Sequence, residues 1–158
     1  MRATTTPAAM RDVITARIEG LTPPTFGANL YRPHRHDRMD LRAWAVANPA
    51  ACLRVFAVET RGDTAEVEVT MVTQEQVRET FEIVIAYPEG NRFGTLQGLH
   101  DVIASDLRHL DYYAGTTGFS VTPTSNATII SKQYSREQDG AVFFGVIPLE
   151  VVYWRAAP

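Results

Sequence analysis

Residues 95–113 read TLQGLHDVIASDLRHLDYY. Leu96, Leu99, Ile103, Leu107 and Leu110 recur at steps of three and four, the period of one helix face. Gln97, Asp101, Ser105 and Arg108 fall opposite. Thr95 can accept a hydrogen bond from a free N–H of the first turn, and Gly115 and Gly118 end the pattern. The spacing predicts a helix over about 95–113. One apolar stripe needs a flat apolar surface to lie on. Strand-like sequence stands on both sides, at 51–88 and at 127–155.

Before the helix, CLRVFAVET (52–60), TAEVEVTMV (64–72) and VRETFEIVIAYP (77–88) read as a three-strand meander. Arg61-Gly62-Asp63 supplies its first turn. Phe81, Ile83, Ile85 and Tyr87 share one face of the third strand. The other face starts with Arg78, Thr80 and Glu82 and turns apolar at Val84 and Ala86. That strand is expected in the middle of the sheet, its later half buried on both sides. The turn 88–91 leaves it. After the helix, 114–126 is a polar loop. ATIISKQYS (127–135) and AVFFGVIPLEVVYWR (141–155) then form a hairpin through the turn Glu137-Gln138-Asp139-Gly140, which ends in Asp-Gly, a strong turn signal. Gly145 and Pro148 suggest a bulge or bend in the last strand.

The N-terminal half is helical but broken. Thr6-Pro7 opens a helix over roughly 7–19 with Met10, Val13, Ile14 and Ile18 as its stripe. Gly20 and Pro23-Pro24 stop it. An irregular stretch runs over 21–37, and Asp37 or Asp40 caps a short helix over 38–47, with Leu41, Trp44 and Ala45 inward. The expected architecture is one α+β domain over 1–158. Its sheet is mostly antiparallel, packed by an N-terminal and a central helix.

At 158 residues the chain is long enough for a real core. Its net charge of −3 argues against a general nucleic-acid binder. The single cysteine, Cys52, excludes an internal disulfide and reads as a small buried residue. No apolar run is long enough to span a membrane, and 1–13 lacks an apolar signal-peptide core, so no membrane is expected.

No nucleophile elbow, phosphate loop, dinucleotide fingerprint or zinc-protease signature occurs. His34-x-His36 is half of a metal site without convergent partners at ligand spacing. His100 sits beside the helix stripe. Asp101, Asp106 and Asp111 lie at different angles on that helix and are not expected to converge. Alternating glutamates at 66, 68, 75, 79 and 82 read as a solvated strand face. Charge is nonetheless segregated. Residues 66–82 carry five acidic groups against Arg78, while the loop around Tyr31, Arg32, Arg35 and Arg38 is basic. Such a chain can set its basic surface against the next copy's acidic one, a head-to-tail contact that closes into a ring.

The order of helix, long loop, meander, FEIVIAYP, central helix and a closing hairpin ending in IPLEVVYWR resembles the tail terminator proteins of long-tailed bacteriophages and related tail-like particles. Tail completion and head–tail joining proteins share this layout. The resemblance implies a structural virion protein, a six-fold ring at the head-proximal end of the tail tube. That ring ends tube growth and joins the tail to the head connector or stopper. It implies no catalytic residue, cofactor or metal. Partners would be other copies of the chain, the tube protein and the connector, with DNA passing through unbound. On that reading Tyr31, Arg32, Arg35, Arg38 and Arg78 are interface candidates. Glu66, Glu68 and Glu79 would face the channel, where negative charge repels phosphates. Two other readings stand beside it. One is a small-molecule-binding or enzymatic domain with a pocket between sheet and helix, using His100. The other is an adaptor that stays monomeric until it meets a partner.

Overall fold

The structure, a computed structural model, describes residues 3–35, 38–60, 65–90, 93–120 and 127–158. The expected turn at Arg61-Gly62-Asp63, together with His36, Asp37, Asn91 and most of the loop before Ala127, lies outside the described residues.

Helix α1 spans Pro7–Glu19, with the Thr6 hydroxyl accepting from the Ala9 amide at 3.1 Å. Met10, Ile14 and Ile18 are buried, while Val13 stays partly exposed. Helix α2 is shorter than expected, Leu41–Ala47, because Asp40 takes the capping position and accepts from the Ala43 amide at 2.8 Å. Helix α3 is longer, Leu96–Thr117. It runs through Gly115 and stops at Gly118, whose φ of 54° is the left-handed conformation glycine adopts without steric cost.

The strands are β1 (Arg32–Pro33), β2 (Val55–Thr60), β3 (Glu66–Thr70), β4 (Gln74–Pro88), β5 (Thr128–Ser131), β6 (Ser135–Asp139) and β7 (Val142–Ala156). Two long hairpins make the sheet. In the first, β2 and then β3 run down one side of β4. In the second, β5 and then β6 run along β7. The two hairpins join through β4 and β7, which pair antiparallel over their whole lengths, from Gln74 with Ala156 to Pro88 with Val142. The only parallel pairing among the described residues is β1 with β2.

The last strand does not bulge against β4, contrary to the expectation from Gly145 and Pro148. Pro148 acts on the other side. Its carbonyl accepts from the Lys132 amide at 2.8 Å, so its missing N–H also faces the β5–β6 side. The edge strand breaks there: the strand expected over 127–135 stops at Ser131, and β6 takes in Glu137–Asp139, expected as turn, so that the connection to β7 is only Gly140 and Ala141. Gly145 has a different reason. A Cβ there would stand 2.6 Å from Leu107 Cδ2, so the glycine lets α3 lie directly on the sheet.

The sheet is covered unequally. On one face α1 and α3 bury Phe56, Val77, Phe81, Ile83, Ile85, Tyr87, Phe143, Ile147, Leu149, Val151 and Tyr153. On the other, α2 covers Val84, Ala86, Val142, Phe144 and Val146, around the later half of β4. The alternation read from 77–88 is therefore observed, and its later half is buried on both faces. The remaining half of the second face, around Arg78 and Glu150, has no helix over it among the described residues. No described helix is long and apolar enough to cross a membrane.

Candidate subunit interface

The first exposed feature is the end of the first hairpin. Every residue of β3 is exposed, as is the connection Met71–Thr73 at the end of the sheet, where Ala157 N–H donates to the Thr73 carbonyl at 3.0 Å. Val67, Val69 and Met71 are about half exposed and Val72 is 97% exposed. The register shifts between Val67 and Val69, so Glu68 is the extra residue of a β-bulge. The bulge sets Val67, opposite Val77, on the helix-covered face and Val69, opposite Gln76, on the other, so the apolar surface at this end is shared between the two faces and the connection at Met71 and Val72.

Next to it lies the open half-face. Arg78 Nε stands 2.7 Å from Glu68 Oε1, and its NH1 3.6 Å from Glu150 Oε1. Lys132 Nζ reaches Glu150 Oε2 at 3.2 Å. These pairs cross the sheet from β3 to the residue after β5. Glu66, level with Arg78 on β3, is exposed beside them.

Glu79 is not on this face, and the expectation that it faces a channel is corrected. It shares the parity of Phe81 and Ile83 and is buried with them, and Tyr153 donates its hydroxyl to Glu79 Oε2 at 2.8 Å. Burial and the neighbouring carboxylate hold the Tyr153 phenol well above its ordinary range. Glu75 has the same parity, is also buried, and pairs with Arg155 Nε at 2.5 Å.

The basic loop divides in a similar way. Arg32, Arg35 and Arg38 are exposed. Arg32 donates to the Ala51 carbonyl at 3.0 Å, and Arg35 approaches Glu19 at 3.6 Å. Tyr31, expected at an interface, is buried in the main core and is corrected. It lies against Arg54, whose guanidinium carbon is 5.8 Å from the ring centre. Of the two histidines, His34 Nε2 meets the Met39 carbonyl at 2.8 Å and its ring packs on Trp44.

Arg54 is the group the sequence reading missed. It is fully buried at φ 56° and uses all five N–H donors. Nε and one N–H of NH2 take the two oxygens of Asp106, at 2.8 and 2.9 Å. The others go to the carbonyls of Thr25, Phe26 and Asn29, at 2.8 to 2.9 Å. Tyr87 donates to Asp106 Oδ2 at 2.7 Å. Burial pushes the Asp106 carboxyl above its ordinary value, against the pull of Arg54 and Tyr87. Burial, with the Asp106 charge, also raises the Tyr31 and Tyr87 phenols. The arrangement fastens the loop after α1 to α3 and to the sheet. A signal was present. Asp106 falls seven residues after Leu99, on the same helix face, and a carboxylate inside an apolar stripe needs a buried cation.

The pocket expected between sheet and helix meets solid packing where α3 crosses β7, at Leu107 and Gly145. His100 lies on the same side of the sheet, its ring edge-on to Phe143 at 5.3 Å. The larger clefts are open and lie on the surface. One, of about 710 Å³, is bordered by Glu19, Leu30, Arg32 and Ala51. The chain matches no known family model and no curated protein.

Proposed function

We propose that the protein is a structural ring subunit of a phage or phage-like tail, of the terminator type, that ends tube growth and meets the head connector. One observation carries the reading: the exposed apolar end of the β3–β4 hairpin, with Met71 and Val72 at the end of the sheet. It lies at the strand ends, so in a ring whose axis follows the strands it faces axially, toward the next layer of a tube. Exposed apolar side chains at the tip of an otherwise well-packed sheet are stabilised by a partner that covers them. The open half-face with Glu66, Glu68 and Glu150 then borders the passage for DNA, where acidic groups limit phosphate binding.

The test is assembly. Light scattering and negative-stain imaging of the purified protein are expected to show a closed ring of about six copies, the closure that a head-to-tail contact permits. Added to growing tubes of the cognate tube protein, the ring is expected to cap one end. Met71→Asp with Val72→Asp leaves the ring intact and abolishes capping. A protein that neither forms rings nor binds tube ends overturns the proposal.

A further inference from the structure

Among the described residues, three that are not glycine stand at positive φ: Phe26 at 52°, Arg54 at 56° and Phe119 at 53°. A bulky side chain in that region is strained, and the strain persists only where the surroundings impose it. Arg54 and Phe119 are fully buried, so interior contacts offset their strain. Phe26 is 52% exposed. Gly27 follows directly, and glycine takes a positive φ without steric cost, yet the chain makes this turn at Phe26. The strained position carries an aromatic ring held half in solvent.

The buried Arg54 imposes this conformation. Its guanidinium donates to the carbonyls of Thr25, Phe26 and Asn29, and the Phe26 carbonyl also accepts from the Asn29 amide at 3.0 Å. The loop has little packing of its own, since 24–26 and 28–30 are exposed. The Phe26 ring meets Phe93, with centres 4.6 Å apart and planes tilted by 55°. The place of the loop matters as well. Arg54 N–H donates to the Ala86 carbonyl at 2.8 Å, and Phe93 lies between the end of β4 at Pro88 and the start of α3 at Leu96. Met71 and Val72 precede the start of β4. Phe26 therefore stands by the opposite end of the sheet, about 45 Å away along a strand of fifteen residues.

We propose, resting on the ring reading, that the Phe26 loop is the anchor for the head-side connector protein, which receives the aromatic ring in an apolar pocket. In a ring whose axis follows the strands, the Met71–Val72 end faces the tube and the Phe26 end faces away from it. Each of the two axial partners then has its own apolar contact. Interfaces draw most of their affinity from a few such aromatic side chains. A ring presented on a backbone already fixed loses little freedom on docking, and Arg54 supplies that fixity through three carbonyls. The strain at Phe26 is stored for a contact outside the chain.

Two variants test this. Phe26→Gly removes the ring and relieves the backbone, and Phe26→Asn puts a polar residue that tolerates the left-handed region in its place. The full chain is mixed with tubes of the cognate tube protein and then with DNA-filled heads that lack tails. Both variants are expected to fold by circular dichroism, form rings and cap tubes as the parent does. Joining of the capped tails to heads, counted in negative stain, is expected to fall at least about tenfold, the loss typical of an anchor residue. Joining at the parent level overturns the docking role and leaves the ring reading standing. Rings lost in both variants would place Phe26 against the next copy, and capping lost with rings intact would place it against the tube; either overturns the proposal. Variants that no longer fold make Phe26 a cover for Phe93 and overturn it too. A parent that forms no ring and caps no tube overturns both readings.

Discussion

Leu107 of α3 rests on Gly145 of β7, so closely that any side chain at 145 would meet its terminal methyl. The contact fixes the distance between helix and sheet. Gly145→Val is expected to lower stability by about 1–3 kcal/mol through overpacking. Leu107→Ala is expected to cost about 2–5 kcal/mol through the cavity it leaves. In the double variant the valine fills part of that cavity, so the two costs add to less than their sum. Urea unfolding of the four proteins checks this, and strict additivity would show that the two residues do not share the space.

Arg54 and Asp106 form a buried pair whose partners cannot be supplied by water. Arg54→Met leaves a buried carboxylate and three loop carbonyls without their donor, at an expected cost of about 3–5 kcal/mol. Adding Asp106→Leu recovers part of this, because no charge is then stranded. A thermal melt in which Arg54→Met unfolds like the parent would remove the pair from any structural role.

Tyr31, Tyr87 and Tyr153 all have phenols raised by burial. The sign follows from linkage. The unfolded chain loses these protons near the ordinary tyrosine value of 10.0, while the folded chain keeps them. Stability is therefore full below that value and falls as pH rises above it, by about 1.4 kcal/mol per pH unit for each phenol. Denaturant midpoints taken from pH 9 to 11 should drop steeply, and Tyr153→Phe should flatten the slope by one proton's share.

Glu59 gives the same sign at acid pH. Burial raises its carboxyl above the ordinary 4.5, although Arg42 stands 3.4 Å away. Its folded form holds a proton more tightly than the unfolded form. Its contribution is thus most favourable below 4.5 and is lost as pH rises through the folded value. Relative to the parent, Glu59→Gln is expected to gain stability between pH 4.5 and 7. A difference that stays constant across that range would show that the carboxyl titrates as it does in the unfolded chain.

Glu66 and Glu68 carry the channel reading. Glu66→Gln with Glu68→Gln, which removes the charge without placing like charges beside Arg78, should leave ring assembly intact and slow DNA delivery, read as particles that attach but eject poorly. Normal delivery by the double variant would place these residues away from the passage.

Much of the fold was legible because period and parity are local. The α3 stripe, the Thr6, Asp40 and Thr95 caps, the two-sided burial of Ile83 to Tyr87 and the Asp-Gly turn all follow from neighbours within a few residues. The failures came from long-range contacts. Gly145 looked like a bend because its reason, Leu107, lies on another element. Pro148 acted on the edge strand instead of its own. Alternation groups Glu79 and Glu75 with the solvated glutamates, although parity with Phe81 puts them inside, where Tyr153 and Arg155 satisfy them. Arg54 reads as part of the strand 52–60 but precedes β2, and only the packed loop reveals why its charge is buried.

The unbroken ladder between β4 and β7 also has a kinetic consequence. Each hairpin closes through a short turn, whereas the central ladder joins partners far apart in the chain, Pro88 with Val142 at its nearest. Local closure is fast and distant closure is slow. The two hairpins should therefore form early and wait, each showing a bare apolar strand to solvent until α3 has folded and brought them together. During that interval the chain is most prone to pair with the wrong copy. Yield on refolding should consequently fall with protein concentration well before the native state itself loses stability.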